Sequence, residues 1–227
     1  MRNEWIERTL KICRERDIPG AKALQSELLS FLDDRPVDKQ IRFVAGIDSA
    51  YSRTHAFAAI VLYDMSLSKI AGEFTASEEI HFPYIPGYLS FREFPAIYLA
   101  YRKLDIEPDL LLFDGHGIAH PRRMGIASQC GILLDIPSIG CAKSKLCGEY
   151  EMPGMQKFDR TGLFFSGRQA GFVMRTRENT KPVFLSPGYR YAMEKIPSLI
   201  EELTGPFRLP LPVHYADRLS KKIKTGL

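Results

Sequence analysis

Two short apolar runs in this chain each end on an aspartate: Val44-Ala45-Gly46-Ile47 on Asp48, and Leu110-Leu111-Leu112-Phe113 on Asp114. A short, nearly all-apolar strand is what a sheet covered on both faces requires, so helices should lie above and below it. An acid at the end of such a strand calls for a cation, a hydrogen-bond network or solvent, because removing its hydration costs several kcal/mol or shifts its pKa. The fold must therefore bury a sheet from two sides and still bring two carboxylates to its rim.

The order of elements narrows this further. Ala21 to Leu32 places Ala23, Leu24, Leu28, Phe31 and Leu32 at helical spacing. Arg42 to Tyr51 and His55 to Tyr63 read as strands joined through Ser52–Thr54, and Ile70 to Phe82 reads as a third. Phe91 to Leu104 suits a helix with Pro95 near its first turn. Asp109 to Phe113 follows as a strand, Gly125 to Leu134 as a helix and Ile136 to Ala142 as a buried strand. Further strands fit Ala170–Arg175 and Pro182–Ser186; Tyr189 to Leu203 reads as a helix interrupted by Pro197, and Val213 to Ile223 as the last helix. A meander followed by strand–helix–strand units predicts an α/β fold: a ribonuclease-H-like mixed sheet, antiparallel first and then parallel, with helices on both faces. We read residues 1–227 as a single domain.

No apolar run approaches the roughly 18 residues of a membrane span. The polar, acid-containing start, Met1 to Glu7, shows no secretory signal. Cys13, Cys130, Cys141 and Cys147 lack paired metal spacing and read as free thiols, in keeping with a cytoplasmic protein. The net charge of +4 permits a polyanionic partner without requiring one, and Arg218, Lys221, Lys222 and Lys224 read as a solvated helix end.

A third acid, Glu93, follows Phe91-Arg92 at the predicted start of a helix. Two strand-end aspartates and a helix-borne glutamate suit magnesium, a hard ion usually held by one or two carboxylates plus substrate phosphate. Taken singly, Asp114 also reads as a turn former and Glu93 as a helix-start acid. Gly115 and Gly117 would let a phosphate backbone approach. His120, Arg122 and Arg123 could contact phosphate, and Lys143, ending the next buried strand, could stabilise developing charge or simply be solvated. Pro83-Tyr84-Ile85-Pro86-Gly87 is a stiff tip that could wedge between bases or fold onto the core.

These segments resemble the endonuclease V family, nucleases acting on inosine in nucleic acid. The resemblance rests on Val44 to Tyr51 with Ala58-Ala59-Ile60-Val61, on Pro83 to Glu93, on Asp114 to Ser128, on Ile139 to Ser144 and on Ser186-Pro187-Gly188. It implies hydrolysis of a phosphodiester on the 3′ side of inosine, one bond removed from the lesion, with magnesium (or manganese in its place) as cofactor. It assigns Asp48, Glu93 and Asp114 to the metal, Lys143 to the active site and Tyr84 to a strand-separating wedge. Asp217, preferred over His214, joins the catalytic set. Ile85, Pro86, Gly87, Gly115, His116, Gly117, His120, Arg122, Gly125, Ser186 and Gly188 are expected to bind substrate. Tyr189 and Gln129 stand where the family commonly carries histidine, which points to altered base-pocket contacts. The implied partner is inosine-containing DNA, with RNA an open alternative, and the protein acts as a monomer away from membranes. Competing readings are an inosine-directed ribonuclease, a branched-DNA nuclease, and a non-catalytic inosine- or DNA-binding module.

Overall fold

The computed structural model describes residues 2–32, 36–37 and 39–226. Helices α1 (Arg2–Glu15) and α2 (Ile18–Leu28) precede strands β1 (Phe43–Tyr51), β2 (His55–Asp64) and β3 (Lys69–Glu79). Helix α3 (Leu89–Tyr101), β4 (Leu110–Phe113), α4 (Ile126–Leu134) and β5 (Ser138–Ala142) follow. The chain then forms β6 (Arg160–Phe165), β7 (Arg168–Met174), β8 (Val183–Tyr189), α5 (Ile196–Leu203) and α6 (Leu211–Thr225). All eight strands share one sheet in the order β3-β2-β1-β4-β5-β8-β7-β6. The first three pair antiparallel, while β4 runs parallel to both β1 and β5. That is the expected meander followed by parallel strands.

Period-two alternation sorts the side chains into two cores. Ala45, Ile47, Leu111 and Phe113 pack with Leu24, Phe91, Phe94 and Cys130 of α2, α3 and α4. Val44, Leu110, Leu112, Ile139 and Cys141 face the other way, against Ile196 and Ile200 of α5 and Val213 of α6. Helices thus cover both faces, and the apolar strands have the double burial that their sequence requires. Cys13, Cys130 and Cys141 are buried free thiols, and Cys147 is half-buried.

Four elements differ from the reading of the sequence. Helix α1 and strand β6 carried no assignment; β6 joins β7 through Ser166 and Gly167, both in the left-handed region, a tight hairpin turn. Tyr189 belongs to β8, paired with Ser138, so the following helix starts only at Ile196. Pro197 therefore sits in its first turn, where no amide donor is needed, rather than inside it. Helix α3 begins two residues earlier than its apolar pattern suggested, which moves Pro95 beyond the first turn.

Candidate active site

Alternation decides where the acids point. In β1, Val44 faces α5 and α6, so Asp48, four residues on, faces the same way; Leu110 and Leu112 put Asp114 on that side too. The parallel register sets Ile47 beside Phe113, and the Asp114 amide donates to the Ile47 carbonyl at 2.9 Å, so Asp114, just past the end of β4, lies level with Asp48, which sits inside β1 and not at its end. Ile139 and Cys141 place Lys143 on the same face at the end of β5. Helix α6 crosses above and contributes Asp217. Carboxylate oxygens of Asp48, Asp114 and Asp217 all lie within 4.8 Å of one another.

Lys143 is ion-paired with both Asp114 and Asp217, the latter at 2.5 Å, and Lys221 meets Asp217 at 2.6 Å. The Ser220 hydroxyl donates to Asp48 at 2.5 Å. Burial pushes the Asp48 carboxyl up to about 7, the charge of Asp114 adds to the rise, and the Ser220 bond and Lys143 oppose it. Burial works against the charge on Lys143, but Asp114 and Asp217 outweigh it and raise its pKa. Asp217 is partly buried, yet its bonds to Lys143 and Lys221 hold it below the usual carboxylate range. His214 does not join the acids; its ring stacks on Phe207 with centroids 3.6 Å apart.

Glu93 reaches this centre from the opposite side of the sheet. It sits in α3, 7% exposed, and accepts a hydrogen bond from the Tyr51 hydroxyl. Burial pushes its carboxyl up to about 8, the Tyr51 bond counteracts this, and the charges of Asp48 and Asp114 add to the rise. Glu93 is thus within electrostatic reach of the aspartates, while Asp217 takes the third corner of the cluster. A raised acid binds its proton more tightly when folded, so its contribution is full below about pH 4.5 and lost as pH rises through about 8. In chelator, the wild-type denaturation midpoint is expected to fall between pH 5.5 and pH 8.5, and Glu93→Gln to flatten that fall. A variant with the wild-type slope would show that the Glu93 proton is not linked to folding.

A small cavity of about 250 Å³ opens beside the acids. Tyr84, Ile85, Pro86 and Gly87 form one wall, and Gly115, His116, His120 and Gly125 another. Ser144, Lys145 and Leu146, not singled out in the sequence, complete it directly after Lys143. Tyr84 is 71% exposed at the tip. Burial lowers the pKa of both imidazoles, taking His120 to about 4 with help from Arg122, so both are neutral at pH 7. His116 Nδ1 is buried without a hydrogen-bond partner among the described residues.

Six residues that the sequence pointed to serve elsewhere. Gly117 donates its amide to the Ser186 hydroxyl at 2.9 Å, and a Cβ there would lie 2.1 Å from the Pro187 carbonyl oxygen. Ser186 and Gly188 therefore support the glycine loop from behind rather than line this cavity. Arg122 donates to the Gly87 carbonyl at 2.6 Å and to Gln25 at 2.8 Å, so its guanidinium is held inside the fold. Gln129 and Tyr189 are also internal: the first accepts from Ser90, the second donates to Asp135 at 2.9 Å, and neither lines the cavity. Strand alternation for Tyr51 and helical periodicity for Ser220 could have placed them only once the partners of β1 and α6 were known.

The family model for endonuclease V matches residues 26–218 of this chain. The chain belongs to the endonuclease V family. Endonuclease V of Geotalea uraniireducens is 41% identical over 93% of this chain and 90% of its own length. That of Roseiflexus sp. is 42% identical over 88% of this chain and 90% of its own. Among solved structures, Endonuclease_V from Bacillus subtilis superposes with a TM-score of 0.87 at 30% identity, covering 92% of this chain and 94% of that one. As a member of the endonuclease V family, this chain is a nuclease, a hydrolase of DNA phosphodiester bonds.

Proposed function

We propose that this endonuclease hydrolyses the phosphodiester on the 3′ side of inosine in DNA, displaced by one bond from the lesion, with magnesium as its cofactor and manganese able to replace it. The observation that carries the reading is the clustering of three carboxylates within 4.8 Å of one another beside a cavity walled by a proline-stiffened tip. The donor set fits a hard divalent cation, because all three ligands are carboxylate oxygens and burial already strains Asp48 toward protonation. Asp48, Asp114 and Asp217 would hold the ion, with the Glu93 carboxyl behind them on the other side of the sheet. When bound, magnesium supplies Lewis acidity toward the phosphate and acidifies the attacking water.

The remaining chemistry belongs to the chain. Lys143 keeps its proton and presents a fixed positive charge where negative charge develops on the phosphate. The cavity is smaller than the roughly 300–1,000 Å³ of ordinary ligand clefts, which suits one extruded base. Inosine pairs weakly and is cheap to extrude. Tyr84 at the exposed tip would hold the strands apart, and the unpartnered His116 Nδ1 would bond the edge of the base. His120 and Gly125 shape the floor.

The test compares nicking of an inosine-containing duplex with that of the matched adenine duplex, and of inosine RNA, in magnesium and in chelator. Inosine- and magnesium-dependent nicking of DNA supports the reading; preferential cutting of RNA would reassign the substrate. Independently of activity, saturating magnesium is expected to raise the melting temperature, since 100-fold excess over Kd stabilises by about 2.7 kcal/mol. Asp114→Ala should abolish that shift; its survival would place the ion elsewhere.

A further inference from the structure

The tip that walls the base cavity is held at both ends by half-buried arginines. At its start, Arg92 donates to the Phe82 carbonyl at 3.1 Å. At its end, Gly87 lies at φ +83°, and a Cβ there would lie 2.7 Å from the Arg122 guanidinium, so the turn is built around that group. The guanidinium also covers the Tyr88 ring at 4.1 Å. What orients Arg122 is Gln25 of α2, a residue 1% exposed and far away in sequence.

Gln25 Oε1 accepts from Arg122 Nε at 2.8 Å. Its Nε2 lies within hydrogen-bond distance of the carbonyl oxygens of Gly87 (3.3 Å) and Met124 (3.4 Å) and of Gln129 Oε1 (3.3 Å). The Ser90 hydroxyl also donates to that Gln129 oxygen, at 2.6 Å. One amide thus ties α2 to both walls of the cavity, the tip through Gly87 and the opposite wall through Met124, and to α4. A buried polar network of this kind specifies one geometry, because losing one member leaves the others unpaired in a low-dielectric interior.

We infer that Gln25 is a positioning residue that sets the wedge: through Arg122 and Gly87 it fixes where Tyr84 stands, and so governs how the enzyme opens a duplex. This rests on the wedge reading of the tip proposed above. Opening is needed on duplex DNA and is already done on a single strand, so the two substrates separate positioning from general damage. Gln25→Met keeps the length of the side chain and removes the amide. It is expected to lower kcat/KM on an inosine-containing duplex roughly tenfold while leaving the same strand, unpaired, within about twofold. Gln25→Glu keeps the acceptor for Arg122 and loses the donors, and should show the same ordering with a smaller drop, which keeps the test open if the methionine variant fails to fold. In a Tyr84→Ala background, Gln25→Met should cost nothing further on the duplex. Equal losses on both substrates, no loss on either, or full additivity with Tyr84→Ala would each overturn the assignment. Wild-type protein that cuts neither form would overturn the nuclease reading itself, and this inference with it.

Discussion

Asp48→Ala is expected to lower the nicking rate by roughly three orders of magnitude, about 4 kcal/mol of barrier, without lowering the stability of the metal-free protein. The two effects have one cause. Asp48 is desolvated in β1 and faces Asp114 and Asp217, with Ser220 and Lys143 only partly compensating. That crowding is unfavourable until a cation enters, so removing one acid relieves repulsion while destroying the place the cation would occupy. Sites built for charge commonly carry such a cost in stability. Single-turnover nicking and chelator-treated melting curves at pH 8, measured on the same preparations, check both halves. A variant that retains a tenth of the wild-type rate would remove Asp48 from the centre.

Gly46→Ala should be the most damaging change that touches no polar group. A Cβ at residue 46 would lie 2.2 Å from the Pro212 carbonyl carbon and 2.3 Å from its oxygen, both backbone atoms of α6. The helix can only retreat or tilt, and it carries Asp217 and Ser220. Overpacking of this kind costs about 1–3 kcal/mol. Displacing a carboxylate of the proposed metal cluster by about 1 Å can cost roughly a hundredfold in rate, so activity should fall by more than the loss of folded protein explains. Urea denaturation with parallel nicking assays separates the two. Wild-type stability and rate together would mean that α6 is not seated on Gly46.

The particular residues show why the sequence disclosed this centre unevenly. Asp48 and Asp114 stood out because each interrupts an apolar strand, and strand periodicity carries that signal locally. Their common direction is equally local, since Val44, Leu110 and Leu112 fix it. Asp217 was harder to place, because nothing on an amphipathic helix tells which sheet edge it crosses; Gly46, the small residue that admits α6, explains the crossing only once the structure is known. Glu93 read as an equal partner of the aspartates, yet α3 lies on the other face of the sheet, where Tyr51 meets it. Arg122 illustrates the general difficulty: an arginine in a glycine-rich loop next to acids suggests phosphate, and only the fold reveals that Gly87 and Gln25 engage it. Strand β6 escaped notice although Ser166-Gly167 between apolar runs marks a hairpin, and α1 has no partner signal in the sequence.

The most direct test of the central claim maps the broken bond. A duplex with a single inosine, labelled at the 5′ end of the inosine strand, is incubated with wild-type protein in magnesium and in chelator, and the product is sized to one nucleotide. One nick is expected in magnesium, at the second phosphodiester 3′ to inosine, and none in chelator. Cleavage that persists in chelator, or that falls with equal frequency along an inosine-free strand, would contradict it.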